Sequence, residues 1–420
     1  MILLMKKPQS LTCFNYLALI IVSCLAGCST GTNSQEKLSL TASAWNAAEV
    51  LEKTSGKISD NLAVTNPDKP FPRSIKGGVV EYVAAPDWTS GFYPGTLWYL
   101  YAANNQADFR KAAQTWTALL EEEQFNTNDH DIGFQIGSSY GNAYKFTCEE
   151  EYLPIILQSA RSLTKRFNPK VGAIKSWNPR NGWQYPVIID NMMNLELLFE
   201  ATRLSGDSSY YKVAYQHAMT THENHFRDNS SSYHVINYDS VSGEILSRQT
   251  HQGAADSSAW ARGQAWGLYG YTMAYRYTQE PVFLQRAKDI AAFIISRSPK
   301  NGIPPWDFDL SKEEEHPTDA SAAAITASAL LELQLYDQEN SETYKKSAEN
   351  ILRTLSEAPY LLAASDATPF IIDRSTGHKP HNSEINVPIN YADYYFVEGL
   401  YRFSHLGEQL KKTFAYGNCK

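Results

Sequence analysis

The chain has 420 residues, with 45 acidic against 37 basic side chains and a formal net charge of −8. That balance gives no basic footprint for nucleic acid and no global attraction for a polyanion, so an anionic partner must be held by local groups. Apolar residues make up 43% of the chain, enough for a large buried core, and the conspicuous excess is in rings with polar tips, 9 Trp and 26 Tyr.

The first segment reads as targeting rather than structure. Lys6 and Lys7 precede a short apolar run over residues 17–22, and Leu25-Ala26-Gly27-Cys28 follows. The run is too short to span a bilayer. An ordinary signal peptide is one reading. Leu-Ala-Gly-Cys favours a bacterial lipobox, in which small residues admit the peptidase and the Cys28 thiol takes the lipid. The expectation is a lipoprotein signal peptide over 1–27, a lipidated flexible tether over 28–40 and a single domain over 41–420. No acidic run follows Cys28, which leans toward the periplasmic face of the cell envelope. Cys13 and Cys24 would leave with the signal. Cys148 and Cys419 remain, and sequence alone does not say whether they pair.

Beyond the tether the pattern is helical. Phe109, Ala112, Ala113, Trp116, Leu119 and Leu120 fall on one face at helical spacing, and similar stripes start at Tyr152, Tyr211, Phe283 and Tyr344. These helices carry charge on their other face. Between them lie segments poor in charge and rich in Gly, Ser and Ala, over 89–102, 131–145, 190–204, 257–276, 318–335 and 390–403. Low charge implies burial on most sides, and small residues permit close packing. With a first helix over 42–62, the alternation predicts about six hairpins of one outer and one inner helix. No strand-rich block and no long linker interrupts them. The units are irregular, so a closed ring, an all-α (α/α)6 barrel, is expected rather than a solenoid. The connections over 168–187 and 229–255 are long and aromatic, as functional loops are.

Polar groups collect where the inner helices begin. Asp190 follows Ile188 and Ile189 and precedes Asn191-Met192-Met193-Asn194. It is a candidate N-cap, because its carboxylate can accept first-turn N–H groups. Asp131, in Asp129-His130-Asp131-Ile132-Gly133-Phe134, occupies a similar place one inner helix earlier. A ring would bring both to one rim, where two carboxylates can divide acid and base work. Trp88 and Phe92 are one turn apart and either pack the rim or present rings to a sugar. Arg262 lies in the apolar stretch Trp260-Ala261-Arg262-Gly263-Gln264-Ala265-Trp266. If buried it needs a partner, either a structural Asp or a substrate carboxylate gripped bidentately. No CxxC or HExxH occurs, and His130, His217, His222, His225, His234 and His251 do not group at metal-ligand spacing. His222 and His225 are three apart on what reads as a solvated helix face.

Together Trp88-Thr89-Ser90-Gly91-Phe92, His130-Asp131-Ile132-Gly133-Phe134, Ile189-Asp190-Asn191-Met192-Met193-Asn194, Trp260-Ala261-Arg262-Gly263-Gln264-Ala265-Trp266 and Asp393-Tyr394-Tyr395 resemble the unsaturated glucuronyl hydrolases, glycoside hydrolase family 88. The resemblance spans nearly all of the chain beyond the tether, in the same order, and implies an (α/α)6 barrel. It implies that Asp190 is the general acid/base and Asp131 the second carboxylate. By the same resemblance His234, Gln252, Trp260, Arg262 and Trp266 line a uronate subsite, and Trp88, Phe92, His130 and Trp177 line the rest of the cleft. No metal or cofactor is implied. The implied partner is an unsaturated oligosaccharide left by a polysaccharide lyase, with the membrane touched only through the lipid. Two other readings stay open. Gly-Gln-Ala-Trp also resembles the unsaturated rhamnogalacturonyl hydrolases, and an aromatic cleft alone would serve a non-catalytic glycan-binding lipoprotein. Some relatives that prefer sulfated fragments carry a Ser- and Lys-containing motif near the C-terminus, which His378-Lys379-Pro380-His381-Asn382-Ser383-Glu384 does not repeat.

Overall fold

The computed structural model describes residues 45–311, 313–411 and 419. The expected signal peptide, Cys28 and the tether lie outside the described residues. The helices are α1 (Ala47–Ile58), α2 (Phe92–Asn104), α3 (Ala107–Ala118), a π-helix (Gly133–Gly141) that runs into α4 (Asn142–Thr147), α5 (Leu153–Thr164), α6 (Asn191–Ser205), α7 (Ser208–Asn224), α8 (Ala261–Thr278), α9 (Pro281–Arg297), α10 (Ala320–Leu333), α11 (Ser341–Leu355), α12 (Asn390–Ser404) and α13 (Glu408–Lys411). The ring closes through its inner members. α2 packs on the π-helix, the π-helix on α6, α6 on α8, α8 on α10, α10 on α12, and α12 back on α2. Outside them lie α3, α5, α7, α9, α11 and α1. This is the (α/α)6 barrel.

The inner and outer helices differ as their sequences require. Along α10 every residue from Ala320 to Leu333 is buried, whereas α11 buries only Tyr344, Ala348, Ile351, Leu352 and Leu355, one stripe of its surface. Small residues set the inner spacing. A Cβ on Gly133 would lie 2.6 Å from the Asn194 Cα, so the π-helix and α6 approach backbone to backbone only because Gly133 has no side chain. Gly133→Ala is expected to lose about 1–3 kcal/mol of stability, as overpacking does, measured by urea unfolding, since backbone atoms cannot swing away.

Two expectations change. First, the long loops are not irregular. Residues 185–188 (β5), 235–238 (β6) and 245–249 (β7) form a three-stranded antiparallel sheet. Hairpins also form over 71–76 (β1) with 79–83 (β2), over 167–168 (β3) with 173–174 (β4) and over 375–378 (β8) with 383–387 (β9). These strands are two to six residues long, too short to show a period of their own in sequence. Second, His225 does not face solvent. It is fully buried, with Nε2 3.1 Å from the Val187 carbonyl oxygen. The helix segment 131–145 also opens as a π-helix. Ser139 and Asn142 donate to the carbonyls of Gln135 and Ser138, which accommodates its wider turns.

One pairing that sequence left open is present. Cys148 and Cys419 form a disulfide across 271 residues of chain.

Candidate active site

The pairing of β5 with β6 assembles the first half of the site. Ile188 opposes Val235 in the ladder, and the Ile189 N–H donates to the His234 carbonyl (3.1 Å). That register sets Asp190, just past β5, beside His234, just before β6. His234 Nε2 lies 3.7 Å from Asp190 Oδ2. The His234 Nδ1 accepts from two backbone groups, the N–H of His251 (3.0 Å) and of Gln252 (3.1 Å). The ring hydrogen is therefore on Nε2, facing the carboxyl. Burial above all holds His234 well below the usual histidine range, so the ring is neutral.

Asp190 precedes the first residue of α6 but does not cap it. Its side chain makes no capping hydrogen bond. Its Oδ2 is buried without a partner. Burial pushes its carboxyl up to about 7. The Arg262 charge, its own backbone N–H and the Trp266 indole pull in the other direction and are outweighed. A helix N-terminus favours the anion as well, and burial outweighs that too.

Asp131 forms the second half by the same logic. Asn194 of α6 takes the Phe134 N–H on Oδ1 (2.8 Å), which orients its amide, and its Nδ2 then lies 3.3 Å from His130 Nδ1. That leaves the His130 hydrogen on Nε2, 3.5 Å from Asp131 Oδ1. Burial raises Asp131 well above the carboxylate range, with Asp129, Asp190 and Asp87 adding to it and Arg166 opposing. The mutual repulsion expected of two carboxylates at one rim is thus felt by Asp131, while burial rather than Asp131 is what raises Asp190.

Both carboxylates line one cavity of about 300 Å³. Trp88, His130, Trp177, Gln252 and Arg262 line it too. Trp177 stacks on Trp183 (ring centroids 5.8 Å apart) and carries the Arg180 guanidinium 3.8 Å above its ring. It is a flat wall suited to a sugar face. Four expected cleft residues are not among those that line it, and one of them is His234, 3.7 Å from Asp190. Phe92 is fully buried among Phe134, Tyr391, Tyr394 and Tyr395, because its helix turns it into the barrel core. Trp260 lies behind the wall, 4.6 Å from the His234 ring and 4.5 Å from the Arg262 guanidinium. Trp266 is buried beneath Asp190, packed on Phe134 and Tyr395.

Arg262 has a structural partner. Its Nη1 donates to Asp319 Oδ2 (2.7 Å) and the Thr376 carbonyl (2.6 Å), and its Nη2 to the Gly377 carbonyl (2.6 Å). Nη1 and one hydrogen of Nη2 are thus spent on the protein, while Nε is buried without a partner and Arg262 lines the cavity. Sequence reasoning missed the hairpin those carbonyls belong to. β8 (Ser375–His378) and β9 (Ser383–Val387) bring Gly377, His378 and Glu384 to the cavity, and Glu384 takes the Arg73 Nε hydrogen bond at 2.7 Å. No periodicity marked that hairpin. His251 is next to Gln252 in the chain, and Tyr391 stands two residues before Asp393-Tyr394-Tyr395. Both line the cavity.

A second cavity, lined by Tyr99, Lys145, Glu196, Glu398 and Arg402, lies within the barrel. At about 50 Å³ it holds water but not a sugar. The 300 Å³ cavity is the one that joins room with perturbed carboxyls.

The chain matches the model of Glycosyl Hydrolase Family 88 over residues 73–273. It is 46% identical to an unsaturated glucuronyl hydrolase of Formosa agariphila, over 80% of this chain and 85% of that one. It is 33% identical to an unsaturated glucuronyl hydrolase of a Bacillus sp., over 75% and 86%. A crystal structure of an unsaturated glucuronyl hydrolase specific for heparin superposes with a TM-score of 0.83 at 44% identity, covering 87% of this chain and 98% of that one. With the fold, the motif order and these relatives in agreement, the chain belongs to glycoside hydrolase family 88 and is a glycoside hydrolase.

Proposed function

We propose that Asp190 acts first as acid and then as base in the hydration of a C4=C5 double bond, with Asp131 holding the sugar hydroxyls. The enzyme removes the non-reducing terminal 4,5-unsaturated uronic acid from lyase-generated oligosaccharides. One observation carries the assignment of Asp190. Its carboxyl is buried, raised to about 7, and has an oxygen without a partner at the wall of the large cavity. Such a group is still protonated near neutral pH and is free to give that proton away.

The double bond is a vinyl ether conjugated to the uronate carboxylate. Asp190 gives its proton to C4, and positive charge develops at C5 and the ring oxygen. The resulting carboxylate takes a proton from a water as that water's oxygen bonds to C5. The hemiketal opens at the C5–ring oxygen bond, which leaves a hemiacetal at C1. Its collapse releases the neighbouring sugar. This differs from displacement at the anomeric carbon by two carboxylates. The neutral His234 presents its Nε2–H to Asp190 Oδ2, which steadies the anion formed midway. His130 does the same for Asp131.

Glycosaminoglycan fragments are the first substrates to test, because the 44% identical relative is specific for heparin and relatives at 29% are named unsaturated chondroitin disaccharide hydrolases. Incubation with unsaturated disaccharides from heparin, chondroitin and pectin lyases, followed by absorbance of the conjugated alkene, is expected to show its loss with a glycosaminoglycan product. Loss with the pectin product alone would reassign the substrate. Binding with no loss on any of them would reduce the protein to a glycan-binding one.

The same proposal extends to the cell envelope. Leu25-Ala26-Gly27-Cys28 supports a lipid on Cys28 that anchors the chain, on the periplasmic face because no acidic run follows. The Cys148–Cys419 disulfide suits an oxidising compartment outside the cytosol. Labelled fatty acid is expected to enter the wild-type chain and not Cys28→Ser. Equal labelling of both would remove the anchor.

A further inference from the structure

His251, His378 and His381 meet at the edge of the large cavity. One ring nitrogen from each can be chosen so that the three lie within 4.8 Å of one another. They come from separate segments. His251 lies in the loop after β7 (Ile245–Gln249), His378 ends β8, and His381 sits in the 3-10 turn that joins β8 to β9. The His251 ring is 4.7 Å from that of His378 and 5.1 Å from that of His381, edge to face in both cases. His378 and His381 are face to face at 4.0 Å. Both ring nitrogens of His378 are buried without a hydrogen-bond partner. A histidine that finds neither donor nor acceptor for two buried nitrogens is costly. The cost is met if a ligand supplies the missing partner.

From this geometry we infer a transition-metal site formed by His251, His378 and His381, taking Zn²⁺ or another divalent ion that favours imidazole nitrogen. Three imidazoles with an open fourth position make a known zinc donor set. A tetrahedral ion with bonds of about 2.0–2.1 Å needs its nitrogens roughly 3.4 Å apart, so the cluster must tighten by about 1.4 Å at most from its 4.8 Å spread. His381 is exposed on its turn, so its ring is the one able to tilt and converge. Burial first, then His251 and His381, holds His378 down to about 3, and burial first, then Arg180 and His381, holds His251 to about 4. Both are therefore neutral at pH 7, as metal ligands must be.

The site has a consequence for the cavity. His251 and His378 line it along with Asp190 and Asp131. An ion held there ties the β8–β9 hairpin to the loop after β7 across the cavity edge and narrows the entry. The metal is thus an inhibitor of the reaction and not its cofactor. This second step rests on the proposed hydration, whereas the binding itself does not.

Isothermal titration of the chelator-treated chain with ZnCl₂ tests the binding directly. One Zn²⁺ per chain is expected, and His381→Ala should weaken it roughly tenfold or more, since one of three ligands is lost. His381 does not line the cavity, so turnover in chelator should be the same in both proteins. Absence of binding, or equal binding by His381→Ala, overturns the site. Added Zn²⁺ should slow turnover of an unsaturated disaccharide by the wild type and spare His381→Ala. Binding that leaves turnover unchanged overturns the inhibition. A chain that binds Zn²⁺ but hydrates no unsaturated sugar would refute the proposed reaction and leave the metal site standing.

Discussion

Asp190→Asn is expected to lower kcat by ~10⁴-fold or more while the fold persists. Each proton transfer by a positioned group contributes about 10²–10⁴-fold, and Asp190 is assigned two of them. The carboxamide has nearly the same shape, and the Asp190 Oδ2 gives up no hydrogen bond because it makes none within the protein. The folded value of about 7 lies above the unfolded value of roughly 3.9. The carboxyl therefore favours folding fully below the unfolded value, and that contribution is lost as pH rises toward and through about 7. The total is on the order of a few kcal/mol. Asn does not titrate, so the variant should gain on the wild type across that window. Urea melts at pH 5 and pH 8 read the difference. In wild type the required form is the acid, so kcat/KM should fall as pH rises through about 7. Near-normal kcat in Asp190→Asn would end the assignment.

The second large effect is on stability. Arg262→Met should cost about 3–5 kcal/mol, the range for breaking a buried ion pair by removing one partner. Arg262 is buried and bonded to Asp319 and to the carbonyls of Thr376 and Gly377. Its removal strands all three. Asp319 also caps α10 through the N–H groups of Ser321 and Ala322, so the damage spreads to a ring helix and to the hairpin at the cavity. Adding Asp319→Asn should recover part of the loss, since the stranded charge is then gone. A strictly additive double variant, measured by chemical unfolding, would show that the two do not act as a pair. Arg262 also pulls Asp190 down. Any Arg262→Met protein that folds should therefore hold the Asp190 proton to higher pH, and its kcat/KM should persist further into the alkaline range.

The barrel was legible because its two helix classes differ in composition. Outer helices such as α11 alternate charge with an apolar stripe, and inner ones such as α10 bury every side. Burial on one side or on all sides writes itself into any amphipathic pattern. The site was legible in part. Asp131, Asp190 and Trp88 stand in motifs that resemble a family, Trp177 and Gln252 were implied by that resemblance, and all five meet at one cavity. Phe92 shows the limit. One turn from Trp88 on the page, it points into the core, because side-chain direction depends on how the helix is rotated against its neighbours.

What the sequence determined by itself was the number of hairpins, their order and the two carboxylates placed where inner helices begin. All of these depend on neighbours along the chain. Only the tertiary structure decided what those carboxylates are. Asp190, a candidate helix cap in sequence, is a buried acid that makes no capping hydrogen bond, because the β5–β6 register sets it beside His234. Arg262 is committed to Asp319, and His251 meets His378 and His381, through contacts between segments far apart in sequence. A pKa, an ion pair and a ligand cluster are set by distances in space and by exclusion of water, and neither is written in the spacing of residues along a chain.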